Sequence, residues 1–265
     1  MKESAALTIG LKLWSNNRNY YEEAQRLAVK GVCDYIELYA LPGTLDEFGP
    51  LWKSIDISYI VHAPHFMHRM NLAKREHEDG NRRLADEAFQ YADLLETKQI
   101  IFHPGVEGDD EETIRQLNTW TDKRRKHVLI ENKPYYSIDK PPRVCNGHSP
   151  ASIRRIMEET GVDFCFDIGH GICSSNGRGV DPFEELMEYE SLRPTMYHLS
   201  DNDFKSSVDG HKHFGGGNYD FARICQLINA TAPISIETEK SSRDSLEDFV
   251  KDQCFLKDLM TSLTR

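Results

Sequence analysis

The chain has 265 residues, 39% of them hydrophobic, and a formal net charge of −11 at pH 7. This length and apolar content are enough for one large core, and the acidic balance argues against a protein wrapped by nucleic acid. The six cysteines form no C-x-x-C pair, as is typical of free thiols in a reducing compartment. No apolar run approaches the roughly 20 residues of a membrane span. We therefore expect a cytoplasmic protein without membrane association.

Short β-rich runs alternate with stretches of helical periodicity along the chain. We predict eight strands, at Leu7–Trp14, Tyr35–Ala40, Tyr59–Ala63, Gln99–His103, His127–Glu131, Asp163–Ile168, Thr195–Leu199 and Ile234–Glu237. Predicted helices between them include Tyr20–Lys30, Arg82–Glu96, Glu111–Lys123, Ala151–Glu159, Pro182–Tyr189, Tyr219–Ala230 and Leu246–Leu263. This alternation has the size and rhythm of a (β/α)8 TIM barrel, an α/β fold. No linker divides the chain, so we predict one barrel domain over residues 1–265.

Nine potential metal ligands stand at or just beyond the ends of six successive predicted strands. They are His62, His103, Glu131, Asp167, His170, His198, Asp209, His211 and Glu237. The C-terminal strand ends of a barrel meet at one face, where active sites lie. A lone histidine or glutamate there is more often a hydrogen-bonded structural residue, but a polar cluster at a barrel mouth is usually functional. Imidazole and carboxylate together suit zinc, manganese or iron, so the sequence predicts a polynuclear metal site.

Seven short motifs carry these ligands. In chain order they are VHAPH at His62, IFHPG at His103, LIEN at Glu131, FDIGH at Asp167 and His170, YHLSD at His198, DGHKHFGGG at Asp209 and His211, and SIET at Glu237. Together they resemble the endonuclease IV and xylose isomerase-like barrel superfamily, over nearly the whole chain.

Resemblance to endonuclease IV implies three divalent ions, zinc first, with manganese or iron as alternatives. It places His62, His103 and Glu131 on the first ion, Glu131, Asp167, His198 and Glu237 on the second, and His170, Asp209 and His211 on the third. The implied activity is phosphodiester hydrolysis, as in an AP endonuclease, because adjacent metals activate water and stabilise an in-line displacement. Glu131 would bridge two ions, and Glu237 would also orient the nucleophile.

The segments that would contact DNA differ from the endonuclease pattern. The second strand continues as YIELYALPG without a basic and aromatic insertion, and His65 stands where a tyrosine is expected. The substrate therefore stays open between abasic DNA and a small sugar or phosphate compound. Lys133 and Lys212 are candidates for phosphate contact. We expect no obligate protein partner.

The other branch of the superfamily contains sugar and sugar phosphate isomerases and epimerases. One divalent ion is held there by two glutamates, an aspartate and a histidine, which map onto Glu131, Asp167, His198 and Glu237. The run AVKGVCDYIELY also resembles the GxDxIEL segment of that branch. A one-ion epimerase does not explain the other ligands, so the hydrolase is preferred and the isomerase stays open as the alternative. A non-catalytic metal-binding scaffold is the third possibility.

Overall fold

The computed structural model describes residues 7–124 and 127–263. In these residues eight strands, all parallel, close into a barrel in chain order. They are β1 (Ile9–Trp14), β2 (Tyr35–Tyr39), β3 (Ser58–His62), β4 (Gln99–Phe102), β5 (His127–Glu131), β6 (Asp163–Asp167), β7 (Met196–Leu199) and β8 (Ile234–Ile236). Each predicted strand has its counterpart, and the predicted (β/α)8 barrel is confirmed.

Helices connect the strands and pack on the outer face of the barrel. In the described ranges they are α1 (Tyr21–Val29), α2 (Leu45–Lys53), α3 (Glu78–Leu94), α4 (Asp110–Arg124), α5 (Pro150–Thr160), α6 (Ile168–Arg178), α7 (Pro182–Glu190), α8 (Phe221–Leu227) and α9 (Glu247–Leu263). The helices predicted from the sequence do not include α2 or α6. Helix α2 contains a Gly-Pro pair and α6 is rich in glycine and serine, and these residues have low helix propensity.

Helix α6 forms because its ends and its packing compensate for this composition. The Oδ1 atom of Asp167 accepts a hydrogen bond from the backbone N–H of His170 at 2.7 Å, which caps the first turn. Gly171 lets the helix approach closely, since an added Cβ would press on Leu186 and Phe166. The capped first turn places His170 over the open end of the barrel.

The barrel interior is apolar in its middle layer and polar toward the C-terminal ends of the strands. Its apolar layer is a separate buried cluster of Tyr35, Ile60, Ile101, Leu129, Cys165 and Met196. Strand side chains repeat every two residues, so the residue two positions farther on again points inward, closer to the C-terminal end. Those residues are Glu37, His62, His103, Glu131, Asp167 and His198. The apolar layer therefore forms the floor of a polar site.

Tyr35 completes this floor by crossing the interior. Its hydroxyl lies 2.9 Å from the Oγ atom of Ser235 in β8. Gly10 permits the crossing, because any Cβ at this position would overlap the Tyr35 ring. The side-chain packing under the site thus depends on the absence of a side chain in β1.

None of the helices in the described ranges has the length and apolar character that crossing a bilayer requires. All six cysteines are unpaired, and only Cys254 among them is exposed to solvent. Free thiols agree with the expectation drawn from their spacing, while the cytoplasmic location stays a prediction.

Candidate metal centre

Each strand, or the residue directly after it, contributes a charged or imidazole side chain at the C-terminal end of the barrel. In chain order these are Lys12, Glu37, His62, His103, Glu131, Asp167, His198 and Glu237. Three more titratable residues approach from the connecting segments. His170 comes from α6, while Asp209 and His211 come from the loop after β7. All of these side chains except Glu237, Asp209 and His211 are buried.

The first group of candidate ligands joins His62 and His103 to Glu131. The Nε2 atom of each histidine lies 3.0 Å from Oε2 of Glu131. His62 Nδ1 lies 2.9 Å from the carbonyl oxygen of Ala63, and this contact orients the ring with Nε2 toward Glu131. Within the described residues, neither ring nitrogen of His103 makes a hydrogen bond of normal geometry, although both are buried. Two imidazole nitrogens and a carboxylate oxygen therefore converge on one point.

The second group contains Asp167, His198 and Glu237. His198 Nδ1 lies 2.9 Å from Oε2 of Glu237 and 3.9 Å from Oδ2 of Asp167. The same nitrogen is 3.4 Å from Oε2 of Glu131, which brings the first and second groups together. The other ring nitrogen of His198 is bonded to Glu37 at 2.9 Å, and this bond turns Nδ1 toward the centre.

The third group contains His170, Asp209 and His211. Oδ2 of Asp209 lies 3.2 Å from His170 Nε2 and 2.6 Å from His211 Nε2. The Nδ1 atoms of the two histidines face backbone carbonyl oxygens, those of Asn132 at 2.9 Å and Glu237 at 2.8 Å. Both rings therefore present Nε2 to the carboxylate.

Asp201 organises the loop that carries Asp209 and His211. Its carboxylate accepts hydrogen bonds from the backbone N–H groups of Gly215, Gly217 and Tyr219 at 2.9 to 3.2 Å. Its backbone also pairs with that of Lys212. The third group is therefore held by a network of backbone hydrogen bonds, although it lies outside the strands.

The three groups fit divalent cations. In each group the candidate ligand atoms lie within 4.8 Å of one another. The buried Nδ1 of His198 and the ring nitrogens of His103 are polar atoms that lack a hydrogen bond in the described residues, and such atoms are costly to bury without a partner. Histidines oriented by carbonyl or carboxylate acceptors are typical of metal ligands. The structure brings all nine candidates together, and their role as ligands remains a proposal.

Lys12 and Glu37 belong to the same site but were not predicted from the sequence. Lys12 Nζ lies 2.6 Å from Oε2 of Glu237 and 3.2 Å from Oε1 of Glu37. Glu37 is fully buried and links this lysine to His198. The sequence does contain an indication of both residues. Each of the apolar runs GLKLW and YIELY has one charged residue, at an alternating position whose side chain points into the barrel.

The charges of the site stabilise one another. Burial disfavours the ionised form of Glu37, but His198 and Lys12 outweigh it and lower its pKa to about 2. Burial likewise opposes ionisation of Glu131, yet His103 and His198 hold its pKa well below its usual range. Burial also opposes the charge of Lys12, whose pKa is nevertheless raised because its carboxylate neighbours outweigh burial. These carboxylates are ionised at neutral pH and can bind cations.

A cavity of ≈ 380 Å³ opens over the candidate ligands and leads to solvent. Lys133 lines it, with Nζ 3.8 Å from Oε1 of Glu131 and 3.5 Å from Nε2 of His170. Lys212, the other lysine considered for phosphate contact, is not among the residues that line this cavity. The cavity has the size of a small-molecule site.

The fold corresponds to that of a known protein family. The sequence profile of the xylose isomerase-like TIM barrel family matches residues 21–259. The chain belongs to this family. The predicted superfamily resemblance is thereby confirmed. No curated protein matches the sequence.

Solved structures share the whole barrel with this chain at low sequence identity. A D-tagatose 3-epimerase-like protein is 18% identical with a TM-score of 0.74, covering 96% of this chain and 98% of that chain. The TTHB071 protein from Thermus thermophilus, soaked with ZnCl2, is 20% identical with a TM-score of 0.70, covering 97% and 99%. Endonuclease IV from the same organism is 17% identical with a TM-score of 0.69, covering 96% and 99%. At these identities the likeness shows the shared fold, and the reaction has to be argued from the site.

Proposed function

We propose that this protein is a metal-dependent hydrolase of phosphoester bonds with an endonuclease IV-like centre of three divalent ions, zinc first. The observation that carries the proposal is the convergence of nine ligands into three groups that meet at Glu131. Oε2 of Glu131 faces His62, His103 and His198, while Oε1 lies 3.1 Å from His170 Nδ1. A site for one ion needs no such arrangement.

The net charge of the centre suits an anionic substrate. With the histidines of the site neutral, as metal-bound imidazoles are, the five carboxylates and the two lysines, Lys12 and Lys133, sum to three negative charges. Three divalent ions would reverse this sign, and a phosphoester anion would then be attracted to the cavity. Bound divalent ions would also polarise phosphoryl oxygens and lower the pKa of water.

Side chains of the site would position the attacking water and the phosphoryl group. Lys12 and His198 hold Oε2 of Glu237, which leaves Oε1 of this carboxylate facing the third group, 4.0 Å from His211 Nε2. Oε1 can therefore orient an attacking water. Lys133 Nζ, beside Glu131 and His170, can neutralise a phosphoryl oxygen.

The mouth of the cavity favours a small substrate over abasic DNA. Arg143 lies beside it, but its guanidinium is paired with Asp139 at 2.6 Å and covers the ring of Phe66 at 4.8 Å. Phosphate contacts by free lysine and arginine side chains dominate the affinity of DNA-binding proteins. With a net charge of −11 and a paired arginine at the rim, the chain is better suited to a small phosphoester.

A sugar or sugar phosphate isomerase or epimerase is the second candidate. The observation in its favour is that Glu131 and Glu237 approach His198 Nδ1 from different strands, at 3.4 and 2.9 Å. With Asp167, they could hold one ion between two carboxylates that move a proton across an enediolate. The name of the epimerase-like structural neighbour is compatible with this alternative.

Metal content separates the two candidates. Elemental analysis of protein purified without chelator, with anomalous scattering maps, should give about three ions per chain for the hydrolase and about one for the isomerase. Hydrolysis of bis(p-nitrophenyl) phosphate and of an abasic duplex, and exchange of ketose protons with deuterium, report the reaction. Hydrolysis of the duplex alone would restore the DNA-repair assignment.

Two pairs of substitutions test the same proposal. For the hydrolase, His103→Ala and His211→Ala should each lower metal content and reduce hydrolysis about a hundredfold or more. For the isomerase these changes should be mild, while Glu131→Gln and Glu237→Gln abolish proton exchange. His127→Ala is the control, because this histidine is 65% exposed at the opposite end of β5. Unchanged metal content in both histidine variants would contradict the trinuclear proposal.

A further inference from the structure

The outer half of the cavity is apolar, unlike its base. Among the large hydrophobic side chains exposed in the described residues, four line this cavity. They are Trp14 (44% exposed), Met67 (51%), Tyr136 (37%) and Ile138 (53%). Exposed apolar side chains that cluster at a cavity beside a polar centre are typical of a binding surface, whereas single exposed apolar residues scattered over a protein are not.

Aromatic rings lead without interruption from the candidate ligands to this outer wall. The ring of His62 is 5.2 Å from that of Tyr39, which is 5.3 Å from Trp14. A second series runs from His103 to His65 at 5.4 Å and then to Phe66 at 5.5 Å. A ligand that reaches the metal ligands would therefore lie against ring surfaces on its way out.

A second wall is the segment after β5, and it is held in place. Tyr136 and Val144 form an antiparallel bridge, and a second bridge joins Cys145 to Val106 in the loop after β4. Arg143 attaches this segment to Phe66 through its contact with the ring. The exposed side chains of this wall thus belong to an organised surface, and such a surface is suited to binding without a large ordering cost.

Two hydroxyl groups beside the outer half of the cavity, those of Tyr39 and Ser137, are already engaged. The Tyr39 hydroxyl contacts His68 Nδ1 at 2.7 Å and accepts from the backbone N–H of His65 at 3.0 Å. The Ser137 hydroxyl donates to Asp139 at 3.1 Å and accepts from the backbone N–H of Arg143 at 2.9 Å. These groups have less capacity left for the hydroxyls of a sugar, so the wall favours an apolar group.

We propose that the outer half of this cavity is a subsite for a flat apolar arm, of the size of one aromatic ring, on a substrate whose oxygen-bearing head reaches the metal ligands. Under the proposed function, on which this assignment of the head rests, the substrate class is an aryl or similarly apolar phosphoester. Trp14, Phe66 and Met67 on one wall and Tyr136 and Ile138 on the other determine specificity.

Two pairs of non-reacting probes test the arm by calorimetry on the zinc-loaded protein. Phenylphosphonate and methylphosphonate share a phosphate-like head, while benzohydroxamate and acetohydroxamate share a head that chelates divalent ions through two oxygens. In each pair the aryl compound should bind about tenfold more tightly or better, because its ring leaves water for the apolar wall. Equal affinities within both pairs would overturn the subsite.

Matched variants locate the effect. Met67→Ala and Trp14→Ala should each reduce the aryl preference about threefold or more, with little change for the methyl probes. Met187→Ala is the control, since Met187 is also 51% exposed but lies in α7 outside the cavity. An aryl preference that persists in both cavity variants would place the ring elsewhere and refute the assignment.

The same four probes distinguish failure of the proposed function from failure of the apolar subsite. If neither phosphonate binds while benzohydroxamate still exceeds acetohydroxamate, the phosphoester head is wrong and the apolar subsite stands. If none of the four probes binds, both the centre and the subsite are refuted.

Discussion

Lys12 is the cation that compensates the buried carboxylate of Glu37 and the partly buried carboxylate of Glu237, so its replacement by methionine should destabilise the fold. The ammonium group bonds Glu237 at 2.6 Å and Glu37 at 3.2 Å. Methionine preserves most of the side-chain volume and removes the charge together with the N–H donors of the ammonium group. Glu37, which is fully buried, would then keep its negative charge without its lysine partner.

The magnitude follows from the burial of the pair. Removing one partner of a buried ion pair costs about 3–5 kcal/mol, because the remaining charge stays desolvated. The side chains of Lys12 and Glu37 are 7% and 0% exposed, so solvent screening does not reduce this figure much. At about 2–4 °C per kcal/mol for a chain of this size, the melting temperature should fall by roughly 6–20 °C. Divalent ions bound at the proposed centre would offset part of this loss, since Glu237 is one of the candidate ligands.

Urea and thermal unfolding with chelator, and again with zinc, would measure both effects. Lys53→Met is the control, because Lys53 and its partner Glu96 are 38% and 78% exposed and such surface pairs contribute at most about 1 kcal/mol. The double variant Lys12→Met/Glu37→Gln should recover more than about 1 kcal/mol relative to additive losses, since the uncompensated carboxylate is neutralised. A loss below about 1 kcal/mol for Lys12→Met in chelator would refute the argument.

Three other outcomes are expected from the same structure. Gly10→Ala should cost about 1–3 kcal/mol in urea unfolding because its methyl group would overlap the Tyr35 ring, whereas Gly80→Ala, with open space around it in α3, should be neutral or stabilising. Asp201→Ala should lower the metal content by about one ion per chain, because the loop carrying His211 loses three backbone hydrogen bonds. Elemental analysis measures this loss, and unchanged metal content would show that other contacts hold the loop. Chelator should lower the melting temperature of the wild-type protein, and zinc should restore it, because ligands that bind only the folded state stabilise it; an unchanged temperature would contradict the metal centre.

The strands and the positions of the candidate ligands at the strand ends were predictable because they depend on local rules. Apolar alternation identifies the strands, and the barrel then brings their C-terminal ends together. Helix α2 was not predicted because Gly49 and Pro50 break the local pattern. Helix α6 was missed for a similar reason, although the cap provided by Asp167 and the close packing of Gly171 stabilise it in the structure.

Lys12 and Glu37 illustrate a different limit of sequence reasoning. A charge inside an apolar strand counts against burial unless a partner is known, because an unpaired buried charge is costly. The partners of Glu37 lie in β1, β7 and β8, at Lys12, His198 and Ser235. Only the closed barrel brings these strands together, so the network required the structure. The contact between Arg143 and Phe66 is non-local for the same reason.

The division between strands and loops also bears on the reaction. The strand-end layer alone supplies Glu131, Asp167, His198 and Glu237, which are sufficient for one ion and compatible with either candidate reaction. The third group exists because α6 and the loop after β7 add His170, Asp209 and His211 above that layer. Ions in the strand-end layer would therefore leave the choice of reaction open, whereas an ion in the third group would favour hydrolysis. The apolar wall is likewise formed mainly by side chains beyond the strands, so the same connecting segments that distinguish the reactions also shape the substrate.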